Sequence, residues 1–246
     1  MLLFTSVICL LFCASCSTTR KVAYFQNAQN TTYRQKLGIT EAPFQQGDIL
    51  DIVVSSLSKE ASADFNRTVA TDGKGSGYLI NTDGEIEMPK LGKVKAAGFT
   101  KKQLKDNIVK LLLAKNELVE PQVEIRYLNF EVTVLGEVAH PTVINVPSEQ
   151  ISLVKALGLA GDLTIYGKRE NILLVRDEDG IRKTRHINIS SSDFLNSEYY
   201  YLKPNDLIYV EPNKDRVVMS GRNQQILPLA LTGISVLFVV FDKLIK

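Results

Sequence analysis

Few side chains in this 246-residue sequence have chemistry to offer, and their spacing narrows what they can do. The two histidines, His140 and His186, have no cysteine or paired carboxylate at ligand spacing, and His140 abuts Pro141 in a turn. No P-loop, Gly-x-Ser-x-Gly or His-Glu-x-x-His segment occurs. Asp48 follows Gly47 and Asp83 precedes Gly84, places where an aspartate caps a turn. Tyr199, Tyr200 and Tyr201 offer aromatic faces to sugar rings, but alternating tyrosines in a strand bury half their number, so packing is their expected role. No metal, no cofactor and no catalysis are expected. What remains is the chemistry of a wetted surface. Thr232, Ser235, Asp242 and Lys246 fall, with Val239 between them, along one stripe of a 3.6-residue helix.

That stripe belongs to an uncharged run, Pro228 to Phe241, which must be buried in something. Pro228 suits a first helical position, where its missing N–H is no loss. A helix from Pro228 to about Ile245 would be roughly 27 Å long, close to the apolar band of about 25 Å in outer-membrane barrels. Its other faces are Leu229, Leu231, Ile234, Val236, Leu237, Phe238, Val240 and Phe241. A lone spanning helix gains nothing from a polar stripe, and a carboxylate at the lipid boundary costs free energy unless it meets water or a partner. Several copies standing stripe-inward around a wet lumen satisfy it. A single anchor with incidental Thr and Ser is the other arrangement the pattern allows.

At the opposite end, residues 1–15 read MLLFTSVICLLFCAS, an apolar run ending in small residues before Cys16, as in a bacterial secretory signal. Ala14-Ser15-Cys16 resembles the lipobox of bacterial lipoproteins, with Cys13 where leucine is usual; the resemblance implies that Cys16 is lipidated and becomes the N-terminus. Cys9 and Cys13 would leave with the signal, so no disulfide framework is expected. Residues 16–43 are polar and read as a tether, and Ser17 after the lipid cysteine favours the outer membrane by analogy with enterobacterial sorting. A net charge of +2 gives no footprint for nucleic acid. Lys101, Lys102, Lys105, Lys110 and Lys115 fall on an amphipathic helix, where a solvated face explains them.

Between the two ends the pattern predicts an α+β chain in two folded units. In residues 44–128, Ile49 to Val54 predict a buried strand, and Tyr78-Leu79-Ile80 and Ile86 to Met88 predict two more around the turn Thr82-Asp83-Gly84. Thr100-Lys-Lys-Gln103 is a capping box opening a helix whose Leu104, Ile108, Leu111 and Leu112 share a face. Val123, Ile125 and Tyr127 alternate as in a half-buried strand. In residues 129–212, strands are predicted around Val132–Leu135 and Val143–Val146, a helix over Ile151–Ala160 ending at Gly161, a hairpin about Asp179-Gly180, and a last strand at Leu207–Val210. Strands wrapped on one helix suggest a β-grasp. Residues 213–246 are the linker and the C-terminal helix.

Gly47-Asp48-x-Leu50-x-Ile52, Tyr78-Leu79-Ile80-x-x-Asp83-Gly84-x-Ile86-x-x-Pro89-x-Leu91-Gly92-x-Val94 and Gly98-x-Thr100 together resemble the polysaccharide biosynthesis/export domain of Wza-type outer-membrane lipoproteins. Gly136-Glu137-Val138-x-x-Pro141, Leu159-Ala160-Gly161-x-Leu163-Thr164 and Tyr199 to Asp206 resemble the SLBB domain, the soluble ligand-binding β-grasp that follows it; Thr142 and Asp162 stand where glycine is common. The resemblance implies a homo-oligomeric ring in the outer membrane, exporting capsular or extracellular polysaccharide through a pore of C-terminal helices. Thr232, Ser235, Asp242 and Lys246 would then line the lumen and its mouth. It also implies an inner-membrane polysaccharide co-polymerase, often a tyrosine kinase, as partner. The competing expectation is a doubly anchored periplasmic glycan-binding or scaffolding lipoprotein without a pore.

Overall fold

The structure, a computed structural model, describes residues 23–28, 30, 41–66, 77–116, 118–178, 180–219, 232–233 and 240. It is a mixed α and β chain with two separate hydrophobic cores, one drawn from Phe44 to Ile125 and one from Phe130 to Val210.

The first core is organised by β1 (Ile49–Ser55), which lies between β2 (Tyr78–Leu79) and β5 (Gln122–Tyr127), antiparallel to both. Leu50, Ile52 and Val54 point inward while Asp51 and Val53 alternate outward, the period of two that a half-covered sheet demands. A helix of five residues, α1 (Lys59–Ala63), follows β1. Just after it, Asn66 acts as a surrogate strand: its side chain accepts from Val54 N at 2.7 Å and donates to Val54 O at 2.8 Å. The two backbone groups are thereby satisfied where β2 does not reach.

The expected turn at Thr82–Gly84 is present, closed by Asn81 N to Glu85 O at 2.9 Å, but the expected hairpin across it is not. β2 pairs with β1, and β3 (Glu85–Met88) pairs instead with β4 (Gly92–Lys95), a strand the hydrophobic pattern of GKVK does not announce. The turn-capping role also moves. Asn81 Oδ1 accepts from both Asp83 N and Glu85 N at 2.9 Å, a reach that Asn at the first turn position has.

Helix α2 (Lys101–Ala114) starts at the predicted capping box, with Thr100 and Gln103 bonding each other's backbone N–H. It lays Leu104, Ile108 and Leu112 into the core, each side chain contributing about 1.5–3 kcal/mol of burial. Leu111 departs from the expected face and is 37 % exposed, because at 100° per residue it swings to the rim of the stripe.

The second core packs α3 (Leu153–Leu159) against a five-stranded sheet of order β7-β6-β10-β8-β9. The strands are β6 (Glu131–Gly136), β7 (Thr142–Asn145), β8 (Gly167–Glu178), β9 (Ile181–Ile187) and β10 (Leu207–Pro212). β10 runs parallel to β6 and antiparallel to β8. Gly136, at φ +92°, lies so close to β10 that a Cβ would sit 2.1 Å from Val210 O, so only glycine fits. The helix begins later than the apolar pattern suggests, since Ser152 caps it by accepting from Lys155 N. Gly161 follows it at φ +80°, the predicted left-handed cap.

α4 (Lys214–Met219) leaves the last strand. Among the described residues no helix is long and apolar enough to cross a membrane. The predicted C-terminal spanning helix falls almost wholly outside the described residues; Thr232, Gly233 and Val240 are helical.

Candidate functional site

Of the site residues predicted from sequence, Cys16, Ser235, Asp242 and Lys246 lie outside the described residues. Thr232 is helical and exposed. The histidines are apart: His140 lies against the Gly161 cap and His186 is exposed on β9. No cluster of metal-ligating side chains occurs among the described residues. Asp48 is 2 % exposed and accepts from Gln45 N at 2.8 Å. Burial raises its carboxyl above the ordinary value and the Gln45 N–H pulls it part-way back, a turn cap rather than an acid facing a substrate.

What the fold does assemble is a junction between the two cores. Tyr127, the last residue of β5, packs against both of them, its ring 5.0 Å from Phe44 and 5.9 Å from Phe130. Burial first, then the carboxylates of Asp48, Glu149 and Glu41, push its phenol far above the usual range, so it stays neutral. Glu149, held at φ +56° in the turn before α3, accepts from Tyr127 N at 2.7 Å and from Lys101 Nζ at the start of α2. Asn129 completes the joint, accepting from Ile49 N at 2.8 Å and donating to Gly47 O at 3.0 Å. Gln45 Nε2 reaches across to Asp177 O at 2.9 Å. Each contact crosses from one unit to the other or ties the connecting segment down. Separating the two units therefore requires several of these bonds to break together.

The second unit carries charge inside. Arg176, on the core side of β8, makes a two-point contact with Asp206, Nε to Oδ1 at 2.8 Å and Nη2 to Oδ2 at 2.7 Å. Asp206 is fully buried and also accepts from Lys203 N at 2.7 Å. Burial works to lower the Arg176 pKa, but the hydrogen bond and charge of Asp206 outweigh it and hold the group above its ordinary value.

Of the comparisons with known proteins, the family profile bears on the first unit and the alignments to relatives run longer than it. A family profile described as "Polysaccharide biosynthesis/export protein" matches residues 40–128, the span of the first core. The chain is 30 % identical over 151 residues to the "EPS I polysaccharide export outer membrane protein EpsA" of Ralstonia nicotianae, covering 59 % of this chain and 39 % of that relative. It is 28 % identical over 154 residues to the protein of the same description from Ralstonia solanacearum, with the same shares covered. Residues 40–128 are thus similar to the polysaccharide export family. The chain spans about two fifths of the length of these relatives, 39 % in each case.

In the second unit the tyrosine run is mostly packing. Tyr199 and Tyr200 lie on the second core, and Tyr200 meets Phe194 at 5.5 Å and Tyr201 edge-on at 5.0 Å. Tyr199 sits at the rim, its hydroxyl accepting from Arg185 Nε at 3.0 Å with the Arg176 guanidinium 5.8 Å from its ring centre. The sequence pattern did not bring Arg176 and Asp206 together; an arginine directly after the apolar run Ile172 to Val175 was the available signal. The same pattern read residues 16–43 as a bare tether. Residues 23–28 instead dock on the second unit: Phe25 N donates to Ile189 O at 3.2 Å, and the Tyr24 hydroxyl donates to Asp162 Oδ1. Burial first, then Asp162, raises that phenol to about 12. Arg169 lies 5.5 Å from the Tyr24 ring centre. Two aromatic residues side by side in a polar stretch were the clue.

Proposed function

We propose that this protein is an outer-membrane translocon subunit that passes capsular or extracellular polysaccharide through an oligomeric pore. The match of residues 40–128 to the export family carries the reading, together with relatives named as polysaccharide export outer membrane proteins. On it, residues 129–212 are an SLBB β-grasp domain, supported by the single helix packed on a five-stranded mixed sheet. Cys16 is the lipid anchor, both units stand in the periplasm, and the C-terminal helices of neighbouring copies enclose the path. A polar polymer needs such a hydrated path through hydrocarbon, and one helix cannot enclose one. Thr232 and Ser235 line the lumen, with Asp242 and Lys246 at its outer mouth. An inner-membrane polysaccharide co-polymerase, often a tyrosine kinase in this family, delivers the cargo from below.

Cysteine at Ser235 tests the pore. Ser235→Cys should react with a water-soluble thiol reagent several-fold faster than Leu237→Cys in intact envelopes. Equal rates would remove the lumen, and a protein that stays monomeric in mild detergent would leave a tethered periplasmic scaffold.

A further inference from the structure

The five-stranded sheet of the second unit has two faces, and α3 covers one of them. On the other, alternation should place polar side chains, and here it does not. Leu135, Tyr209 and Leu173 stand in register across β6, β10 and β8, in a row that ends at His186 of β9. The row beside it runs Val143, Thr133, Leu207, Val175 and Thr184 from one edge of the sheet to the other. None of these side chains belongs to the core under α3. Val143 is 50 % exposed, Leu135 39 % and Tyr209 36 %, while Leu207, Leu173 and Val175 between them are half-buried. The result is one joined apolar strip with an aromatic ring in its middle.

The dimensions and chemistry of the strip narrow its partner. Five strands at about 4.8 Å make it roughly 20 Å long, and two rows about 7 Å apart keep it narrow. That is a few hundred Å² at most, against about 800 Å² for each side of a standard protein interface. Neither row holds an Asp, Glu, Lys or Arg, and beyond them Asp177 is engaged by Arg182 at 2.8 Å and Glu211 by Lys168 at 2.9 Å. An anionic headgroup or a nucleic acid backbone therefore finds no cation to meet. An extended peptide gains affinity by backbone pairing at a sheet edge, which a face does not offer. A sugar chain meets these limits: its C–H faces lie on apolar and aromatic side chains, and its hydroxyls reach polar groups beside them. Such groups are present, Thr133 and Thr184 within the strip and the cross-strand neighbours Glu131 and Asn145 at its border.

We infer that this face of the second unit is a carbohydrate-binding platform, on which consecutive rings of the exported polymer lie with one stacked on Tyr209. Thr133 and Thr184 exchange hydrogen bonds with its hydroxyls, and Glu131 accepts from them. The inference rests on the export reading given above and specifies where the cargo touches the protein.

The probe is polysaccharide isolated from the medium of the cells that make this protein, partly hydrolysed to oligosaccharides and titrated into the full-length protein in mild detergent. Tyr209→Ala should weaken binding about fivefold or more, the loss of one aromatic contact, and Tyr209→Phe should keep most of it. Leu135→Glu with Val143→Glu, both at exposed positions, should weaken it as well. Leu159→Glu, more exposed still at the end of α3, should leave it unchanged. If the unaltered protein binds no oligosaccharide, or all variants bind alike, the platform is overturned and the export reading stands. Unchanged affinity with a lower oligomer mass in Tyr209→Ala would make the strip a contact between copies and overturn it too. Cells lacking the protein that still deliver polysaccharide to their surface would overturn the export reading itself, and the platform with it.

Discussion

The two units solve the same problem with different means. The first unit buries little that is polar beyond Asp48 and Ser62, and its core is Leu, Ile, Val, Phe, Met88, Ala96 and one Tyr, with α2 supplying Leu104, Ile108 and Leu112. The second buries Arg169, Arg176 and Asp206 among its aliphatic residues. Arg169 satisfies its Nη atoms on the carbonyls of Gly167, Leu163 and Thr164, while its Nε has no hydrogen-bond partner among the described residues. Apolar burial is non-directional and tolerates repacking. A desolvated ion pair is unforgiving, because losing one member strands the other. The difference locates where the chain is robust and where it is brittle.

The largest test of that contrast is Asp206→Ala. It should destabilise the second unit by about 3–5 kcal/mol by leaving the Arg176 guanidinium buried and uncompensated. Hydrogen exchange resolved along the chain should show β8 and β10 losing protection while α2 keeps it; equal loss in both would mean the units unfold together. Replacing Arg176 and Asp206 jointly by Met and Leu should recover most of the loss. In the first unit, Thr100→Ala removes one half of the capping box and should cost about 1 kcal/mol, with fraying confined to the first turn of α2.

The smallest effect is one of pH. Hydrogen bonds from Lys183 and then Lys203 hold the Glu178 carboxyl down to about 2 against an ordinary 4.5. A depressed carboxylate contributes stability that is complete above the ordinary value and disappears as pH falls through the folded one. The second unit should therefore weaken between about 4.5 and about 2, only slightly because water screens these partners. Glu178→Gln should flatten that slope in acid unfolding of β8 and β9, and an unchanged slope would assign it to other carboxylates.

Much of this architecture was legible in the residues. Thr100 to Gln103 gave away the start of α2, and the alternation of Val123 and Ile125 gave away β5, because local periodicity encodes both. β4 was not legible, since GKVK acquires its strand character only by pairing with β3. Glu149 and Asp206 were equally hidden. Their roles depend on partners far along the chain, Lys101 and Arg176, which no local pattern joins. The docking of Tyr24 on Asp162 belongs to the same class.

Asn129 has a consequence for how such a chain can change over time. By bonding both Gly47 O and Ile49 N, it pins the point where the polypeptide enters the first unit against the point where it departs. The docked residues 23–28 and the α4 exit both rest on the second unit, with Arg216 Nε donating to Glu137 Oε1 at 3.0 Å. Topologically the first unit is thus an insertion entered and left through neighbouring contacts. A substitution at that junction is felt on both sides, because Tyr127 packs in both cores and Glu149 bonds across it.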